Sequence, residues 1–270
     1  DAYDLEGTVP GSLFYELEKK GDFGKEGIFY RENNKVCLAI ADRDFFYSRS
    51  FIVDAALAAD DQVFLEADGL DTLAVISVNG RILAETENMH RRYRFDLAGY
   101  LKEGENRIEI QFKNTLEFLR NERKRRLIFA SDGGGATSVP GFNMIRKSHC
   151  SFGWDWGPQI PDVGIWKDIR IVSYAGARLN AVHVTQNHQD DTVILQIDPD
   201  TEIYQDGNYT VELKLTNPVG AVETINLPAS KASTITIKNP ELWWPNGLGE
   251  HPLYTLEFRL LSGDVCIDTK

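Results

Sequence analysis

Apolar and polar residues alternate with a period of two along several stretches of this chain. Ile108, Ile110 and Phe112 alternate with charged or polar neighbours, and the same pattern recurs in 209–215 and 256–260. Such alternation is typical of half-buried antiparallel strands. Shorter runs rich in β-branched residues predict further strands at 63–65, 75–76, 169–172, 182–184, 193–197 and 235–237. The pattern therefore predicts an all-β protein.

One hairpin is visible in the sequence itself. Residues 73–78 lead into Asn79-Gly80, and 81–84 follow. Asn-Gly favours a type I′ turn because both central residues of that turn take a positive φ. Residues 131–141, which include three consecutive glycines, have the composition of a flexible loop. They lack the Lys-Ser/Thr pair of a phosphate-binding loop, so nucleotide binding is not expected.

Helical spacing of apolar residues is confined to two stretches. Residues 8–18 predict a short helix after Pro10, and 115–127 predict a second one. The second stretch contains the basic cluster Arg120, Arg123, Lys124, Arg125 and Arg126. We interpret this cluster as a solvated helix face, the alternative being a basic patch near an acidic ligand.

A domain boundary is predicted at 173–178. The stretch before it is rich in strands and aromatics, and about seven short strand-like runs follow it, the spacing of an immunoglobulin-like sandwich. We predict two tandem β-sandwiches, a first domain over 1–175 and a second over 176–270.

Charge and composition exclude several classes of function. The 270 residues contain 29 lysines and arginines against 41 acidic residues, a formal net charge of −12. Nucleic-acid binding is not expected, because contact with phosphates needs a basic surface. No apolar run approaches the roughly 18 residues of a membrane span, so no membrane contact is predicted.

The sequence shows no metal, cofactor or catalytic motif. The three cysteines, Cys37, Cys150 and Cys266, are too few for a disulfide scaffold, and their spacing is not that of metal ligands. We expect them to be buried free thiols. The five histidines are scattered without ligand spacing, and no pair of carboxylates is singled out for glycoside chemistry. We therefore predict no metal site and no cofactor, while the abundance of carboxylates leaves a catalytic pair open by count.

The segment with the strongest chemical signal is Gly153-Trp154-Asp155-Trp156-Gly157-Pro158. Indole rings stack on the C–H faces of sugars, and a carboxylate accepts hydrogen bonds from vicinal hydroxyls. Glycine and proline would restrict such a loop and lower its ordering cost on binding. The structural alternative is a core tryptophan pair with Asp155 capping a turn, and composition alone leaves both open.

A second aromatic cluster, residues 242–247, reads Leu-Trp-Trp-Pro-Asn-Gly. Because it lies between strand-like runs, we interpret it as an ordered loop or a contact between domains. A sugar site there is the weaker alternative.

Residues 146–158 (Arg-Lys-Ser-His-Cys-Ser-Phe-Gly-Trp-Asp-Trp-Gly-Pro), continuing to 164–171, resemble the signature block of β-mannosidases of glycoside hydrolase family 2. Four further segments resemble the same family in order and place; they are 8–11, 69–80, 88–93 and 243–254. The resemblance covers essentially the whole chain, and the Trp-Asp-Trp-Gly block marks the mannosidase branch.

The resemblance implies a galactose-binding-like jelly roll followed by an immunoglobulin-like sandwich. In the family a (β/α)₈ barrel follows and carries two catalytic glutamates of a retaining mechanism. No position of this chain matches them, so the resemblance implies a non-catalytic N-terminal region of an exo-β-mannosidase, inactive alone. The implied partners are a β-mannoside or manno-oligosaccharide and the chain's own C-terminal barrel.

The resemblance also implies roles for four residues. Asp155 would contact hydroxyls of a terminal mannose, Trp154 and Trp156 would wall the site, and Arg146 is a weaker candidate for substrate binding or loop support. The alternatives are a free-standing carbohydrate-binding module, or part of a family 2 β-galactosidase or β-glucuronidase. Periplasmic, cytoplasmic and lysosomal locations are all compatible with the resemblance.

The second sandwich is expected to be truncated at its C-terminal end. If its last strand were missing, an unpaired edge would be exposed near 256–260, and such edges recruit partners. We therefore expect self-association through that edge, or local disorder, within 177–270.

Overall fold

The computed structural model describes residues 5–60, 62–126 and 137–270. Two compact units divide the chain, Asp1–Ser173 and Tyr174–Lys270. Strands dominate both units and helices are few, which confirms the all-β class. The exact domain bounds 1–175 and 176–270 stay a prediction, as does truncation of the second domain. Most of the predicted loop 131–141 lies outside the described residues.

Unit 1 contains eleven strands in the described part of the chain. They are β1 (Phe45–Val53), β2 (Val63–Ala67), β3 (Leu70–Asp71), β4 (Ala74–Val78), β5 (Arg81–Thr86), β6 (Tyr93–Asp96), β7 (Gly104–Phe112), β8 (Phe152–Trp154), β9 (Gly157–Gln159), β10 (Gly164–Ile165) and β11 (Ile169–Ser173). They form the sheets β1-β7-β4-β5 and β11-β2-β6 and the pairs β10-β3 and β8-β9.

The two larger sheets of unit 1 share one apolar core. Along β4 the side chains of Ala74, Ile76 and Val78 are buried, while the residues between them are half-buried. These three pack in one cluster with Leu65 of β2 and Phe112 of β7. The apolar positions of the period-two pattern therefore face the interior of a sandwich.

The predicted Asn-Gly hairpin is confirmed. β4 and β5 pair as antiparallel strands across the turn. Asn79 and Gly80 take φ values of 51° and 78°, both in the left-handed region that a type I′ turn requires.

The described part of unit 1 also contains four α-helices, α1 (Leu13–Lys20), α2 (Asn33–Ala41), α3 (Ala55–Ala58) and α4 (Thr115–Arg125). The predictions of α1 and α4 are confirmed. The helix α1 begins at Leu13, shortly after Pro10 as predicted, and the Ser12 hydroxyl caps it by accepting from the amide of Tyr15. The sequence did not predict α2, because the short apolar run 36–41 is ambiguous between strand and helix.

The helices enclose a second core in unit 1. Phe14 of α1, Cys37 of α2 and Leu119 of α4 lie in it, and so does Phe152 at the start of β8. This second core holds the base of the β8-β9 hairpin.

Unit 2 is a sandwich of seven strands. They are β12 (Ala177–Gln189), β13 (Thr192–Ile203), β14 (Tyr209–Thr216), β15 (Val222–Pro228), β16 (Ser233–Lys238), β17 (Thr255–Ser262) and β18 (Val265–Thr269). They form the sheets β12-β13-β16 and β15-β14-β17-β18. Alternate residues of the central strands, such as Ile197, Leu213 and Leu260, meet in one apolar cluster.

The expected unpaired edge at 256–260 is wrong from Phe258 onward. β17 pairs with β14 along its whole length, from Thr255 to Ser262. On its other side it pairs with β18 from Arg259 onward, and the amides and carbonyls of Phe258 and Lys270 exchange hydrogen bonds of 2.9 and 2.8 Å. The cause is the turn at Gly263-Asp264, which folds the apolar run 265–267 back onto β17.

The three cysteines are free but differ in exposure. Cys37 is buried, and burial raises the pKa of its thiol to about 11. Cys150 is exposed, so the expectation that all three thiols are buried is wrong there. No helix in the described part of the chain has the length and apolar character needed to cross a membrane.

Candidate functional site

The segment Trp154-Asp155-Trp156 forms the end of a short hairpin. Phe152 pairs with Gln159 and Trp154 pairs with Gly157, which leaves Asp155 and Trp156 as a two-residue turn. The side chains of all three residues are exposed, and Trp156 retains 79% of its accessible surface. A core tryptophan pair is therefore wrong, and the structure brings the three predicted residues together at one projecting tip.

The base of this hairpin is fixed in the helical core. Phe152 is fully buried and stacks on Phe142 with 6.2 Å between ring centroids. The amide of Val139 donates to the carbonyl of Phe152 at 2.9 Å, and the amide of Ile160 donates to the carbonyl of Ser151 at 2.9 Å. The exposed tip is thus carried by a base with few degrees of freedom.

Gly153 lets the chain pass close to its neighbours in the hairpin. Its φ is 94°, and a Cβ at this position would stand 2.6 Å from the carbonyl oxygen of Thr137. That carbonyl also accepts a hydrogen bond from Nε2 of Gln159 at 2.9 Å. Any side chain at 153 would force the hairpin away from this contact, which explains the glycine before Trp154.

The tip presents groups suited to a polyhydroxylated ligand. Within the described residues, 5–60, 62–126 and 137–270, the carboxylate of Asp155 forms no hydrogen bond or ion pair. Its two oxygens are therefore available to accept hydrogen bonds from hydroxyls. The flanking indoles offer flat apolar faces for the C–H surface of a sugar ring.

Arg146 lies apart from the tip. Its exposed side chain lines a cleft of about 370 Å³ beside α4, and no residue of the hairpin lines that cleft. Two other arginines of the cleft, Arg125 and Arg126, pair with Glu122 at 2.8 and 2.9 Å. Both arginines lower the pKa of Glu122, and the hydrogen bond from Arg125 has the largest effect. This part of the basic cluster is therefore a solvated, ion-paired helix face.

The residue next to Arg146 is a buried cation that the sequence alone did not single out. The side chain of Lys147 is only 1% exposed. Its ammonium pairs with the carboxylate of Asp71 and donates to the carbonyl oxygen of Asp162 at 2.7 Å. In the sequence Lys147 appears only as part of the block 146–158, and nothing in that pattern predicts its burial.

Asp162 is the second carboxylate of this buried cluster. Its Oδ1 accepts from the amides of Val163, at 2.9 Å, and Phe14, at 3.5 Å. Burial raises the pKa of this carboxyl, against the opposing effects of the Ser12 hydroxyl, the Val163 amide and the Lys147 charge.

Comparison with known proteins places this architecture among enzymes that act on glycosides. Residues 2–167 match the glycosyl hydrolase 2 galactose-binding domain-like family, and 177–270 match the glycosyl hydrolases family 2. The chain belongs to glycosyl hydrolase family 2. Its first sandwich is the galactose-binding-like domain of that family and its second is the immunoglobulin-like domain, as the sequence predicted.

Individual relatives are similar over nearly the whole chain. A β-mannosidase of Capra hircus is 30% identical over 96% of this chain, and β-mannosidase B of Emericella nidulans is 29% identical over the same share. The chain spans 31% of the length of each, about a third.

Solved structures also share the fold of this chain. A β-D-mannosidase from Dictyoglomus thermophilum has a TM-score of 0.88 at 28% identity, and the alignment covers 99% of this chain and 33% of that one. A β-glucuronidase from Bacteroides uniformis has a TM-score of 0.55 at 15% identity, covering 85% of this chain and 26% of the other, and shows the fold alone.

Proposed function

We propose that this chain is the non-catalytic N-terminal region of a retaining exo-β-mannosidase. In the full-length protein, a C-terminal (β/α)₈ barrel would carry the catalytic glutamates and hydrolyse terminal β-mannosyl residues. The present chain would supply the β8-β9 tip to the substrate pocket. The relatives named β-mannosidase support this assignment, because the chain aligns with them over 96% of its length.

The observation that carries the proposal is the exposed tip of the β8-β9 hairpin. The tip exposes two indoles and a carboxylate that has no partner among the described residues. We assign Asp155 to the hydroxyls of the terminal sugar, and Trp154 and Trp156 to the walls of the site. Arg146, exposed and without a side-chain partner among the described residues, is the weaker candidate for substrate contact.

Unit 2 offers a surface for the proposed barrel. The aromatic segment, residues 239–254, contains no strand, yet it is ordered by a hydrogen bond from the Trp244 amide to the Glu250 carbonyl at 3.0 Å. Its large apolar side chains are exposed; they are Leu242, Trp243, Trp244, Leu248 and Leu253. Exposed large apolar side chains concentrated in one segment are typical of an interaction surface, and we assign this segment to contact with the barrel.

The test is Asp155→Asn in the full-length enzyme, assayed with an aryl β-mannoside. Losing a charged acceptor for a substrate hydroxyl in a closed pocket should lower kcat/KM by about 100-fold. Asp264→Asn is the matched control, since Asp264 is also an exposed aspartate in a two-residue hairpin turn, between β17 and β18. Activity of the Asp155 variant within about threefold of wild type would overturn the assignment.

Two further measurements separate this proposal from its alternatives. Calorimetric titration of this chain with mannose and mannobiose tests a free-standing binding module. Millimolar or tighter binding that is lost in Trp154→Ala would favour that function instead. A panel of aryl β-mannoside, β-galactoside and β-glucuronide, offered to the full-length protein, identifies the sugar directly.

A further inference from the structure

The hairpin tip is carried by a segment whose two ends meet at one buried ammonium. Lys147 lies five residues before β8, and Asp162 lies three residues after β9. The Lys147 Nζ donates to the Asp162 carbonyl oxygen at 2.7 Å, so the chain entering the hairpin is joined to the chain leaving it. The whole of β8 and β9 lies between these two points.

The same ammonium joins the segment to the first core of unit 1. It pairs with the carboxylate of Asp71, the last residue of β3, and Asp71 lies opposite Gly164 of β10 in the ladder. The second oxygen of that carboxylate accepts from the hydroxyl of Thr72. Both Asp71 and Thr72 are buried, at 6% and 1% exposure. The pair is therefore fixed on the body of the sandwich rather than on the hairpin itself.

Stability alone does not account for this arrangement. Removing an ammonium and a carboxylate from water costs several kcal/mol for each ion, and apolar side chains of similar volume often serve a core equally well or better. What the ion pair adds over an apolar contact is direction, because a charge-assisted hydrogen bond fixes the positions of the groups it joins.

We propose that Lys147 is a positioning residue for the site at the hairpin tip. Its bonds to Asp71 and Asp162 set where β8 and β9 leave the body of unit 1, and hence where the carboxylate of Asp155 stands. This inference rests on the proposed function, because Asp155 must contact the substrate for its position to matter. Lys147 itself, buried beneath the segment, touches no substrate.

The test is a double-mutant cycle in the full-length enzyme, with Lys147→Met and Asp155→Asn made alone and together. Misplacing a substrate-contacting group by about 1 Å costs up to 100-fold, so Lys147→Met should lower kcat/KM by about tenfold to 100-fold. In the Asp155→Asn background the same change should cost clearly less than in the parent, since only the contacts of the Trp154 and Trp156 indoles are left to misplace. Lys113→Met is the control, because Lys113 forms an exposed ion pair with Glu85 in the same unit.

Each outcome of the cycle has one meaning. Equal losses in both backgrounds, or no loss from Lys147→Met alone, would overturn the positioning role while Asp155 remains assigned. A silent Asp155→Asn would instead overturn the proposed function. If Lys147→Met fails to fold, Lys147→Met with Asp71→Asn replaces it in the cycle, because that pair leaves no unpaired charge in the core.

Hydrogen exchange on the present chain supplies a readout that does not need activity. In a folded Lys147→Met variant, the amide of Ile160, which donates to Ser151 at the hairpin base, should exchange faster than in the parent. Amides of β14 in unit 2 should keep their rates. Unchanged exchange across 148–162 would overturn the proposal.

Discussion

The side-chain amide of Asn79 donates to the side-chain oxygen of Asn106 at 2.8 Å, joining the type I′ turn to the start of β7. Asn106 is 1% exposed and all its polar atoms are bonded. Its oxygen also accepts from the Lys102 amide at 3.0 Å, and its nitrogen donates to the carbonyls of Lys102 and Gly104 at 2.7 and 3.0 Å. One buried amide therefore organises two turns of unit 1.

Replacing Asn106 by alanine should destabilise unit 1 by about 3 kcal/mol, because several backbone and side-chain groups would lose their partners away from water. Chemical denaturation of the chain measures the change. Asn143→Ala is the control, since Asn143 is exposed and its side chain has no partner among the described residues; it should change stability by less than about 0.5 kcal/mol. Equal losses in the two variants would contradict the prediction.

The cysteines should react in the order of their exposure. Cys150 is exposed, whereas burial excludes reagents from Cys37 and raises the pKa of its thiol to about 11. Brief treatment with iodoacetamide at pH 8, followed by peptide mass mapping, should show Cys150 alkylated and Cys37 intact. Cys37 should react only after denaturant is added. Modification of both at one rate in the native chain would argue against the packing of α2.

Asp162 should make the stability of unit 1 depend on pH. Because burial raises its pKa, the folded state holds a proton that the unfolded state releases near pH 4. Its contribution is therefore favourable below pH 4 and is lost as pH rises through the folded-state pKa. Asp162→Asn keeps an acceptor for the Val163 amide but does not titrate. The stability of the Asn variant relative to the parent should rise with pH above 4, measured by denaturation at each pH; a constant difference would contradict this.

The aromatic segment of unit 2 should bind hydrophobic dyes in the present chain. Leu248 and Leu253, exposed by 72% and 73%, are the accessible ends of this surface. Leu248→Lys with Leu253→Lys should weaken binding of anilinonaphthalene sulfonate, while Val219→Lys, at an exposed valine between β14 and β15, should leave it unchanged. In the full-length enzyme the same double substitution should lower Tm, because the proposed contact with the barrel would bury two charges. An unaltered Tm would contradict that contact.

Most of the fold could be predicted from local patterns in the sequence. Alternation located strands such as β7, β14 and β17 because each has one buried and one exposed face. The Asn79-Gly80 turn was equally clear, because its conformation excludes most other residues. By contrast, α2 was not predicted, and the pairing of β17 with β18 was misjudged, because both depend on tertiary partners rather than on the local pattern.

Only part of the candidate site could be predicted from the sequence. Trp154, Asp155 and Trp156 could be selected as a motif, but whether they packed inside or projected depended on the two-residue turn and on close approach at Gly153. Lys147 gave no motif of its own, because burial of a lysine depends on carboxylates and carbonyls that are distant in sequence, here Asp71 and Asp162.

The number of residues in β8 and β9 sets how far the hairpin tip projects from its base. Because a strand rises about 3.3 Å per residue, Trp154 stands about 7 Å beyond Phe152, and the turn extends only one step further. Adding two residues to each strand would advance the tip by roughly another 7 Å with the same faces presented, whereas adding one would reverse them. The reach of the proposed site can therefore change by insertion in this hairpin while the sandwich beneath is left intact.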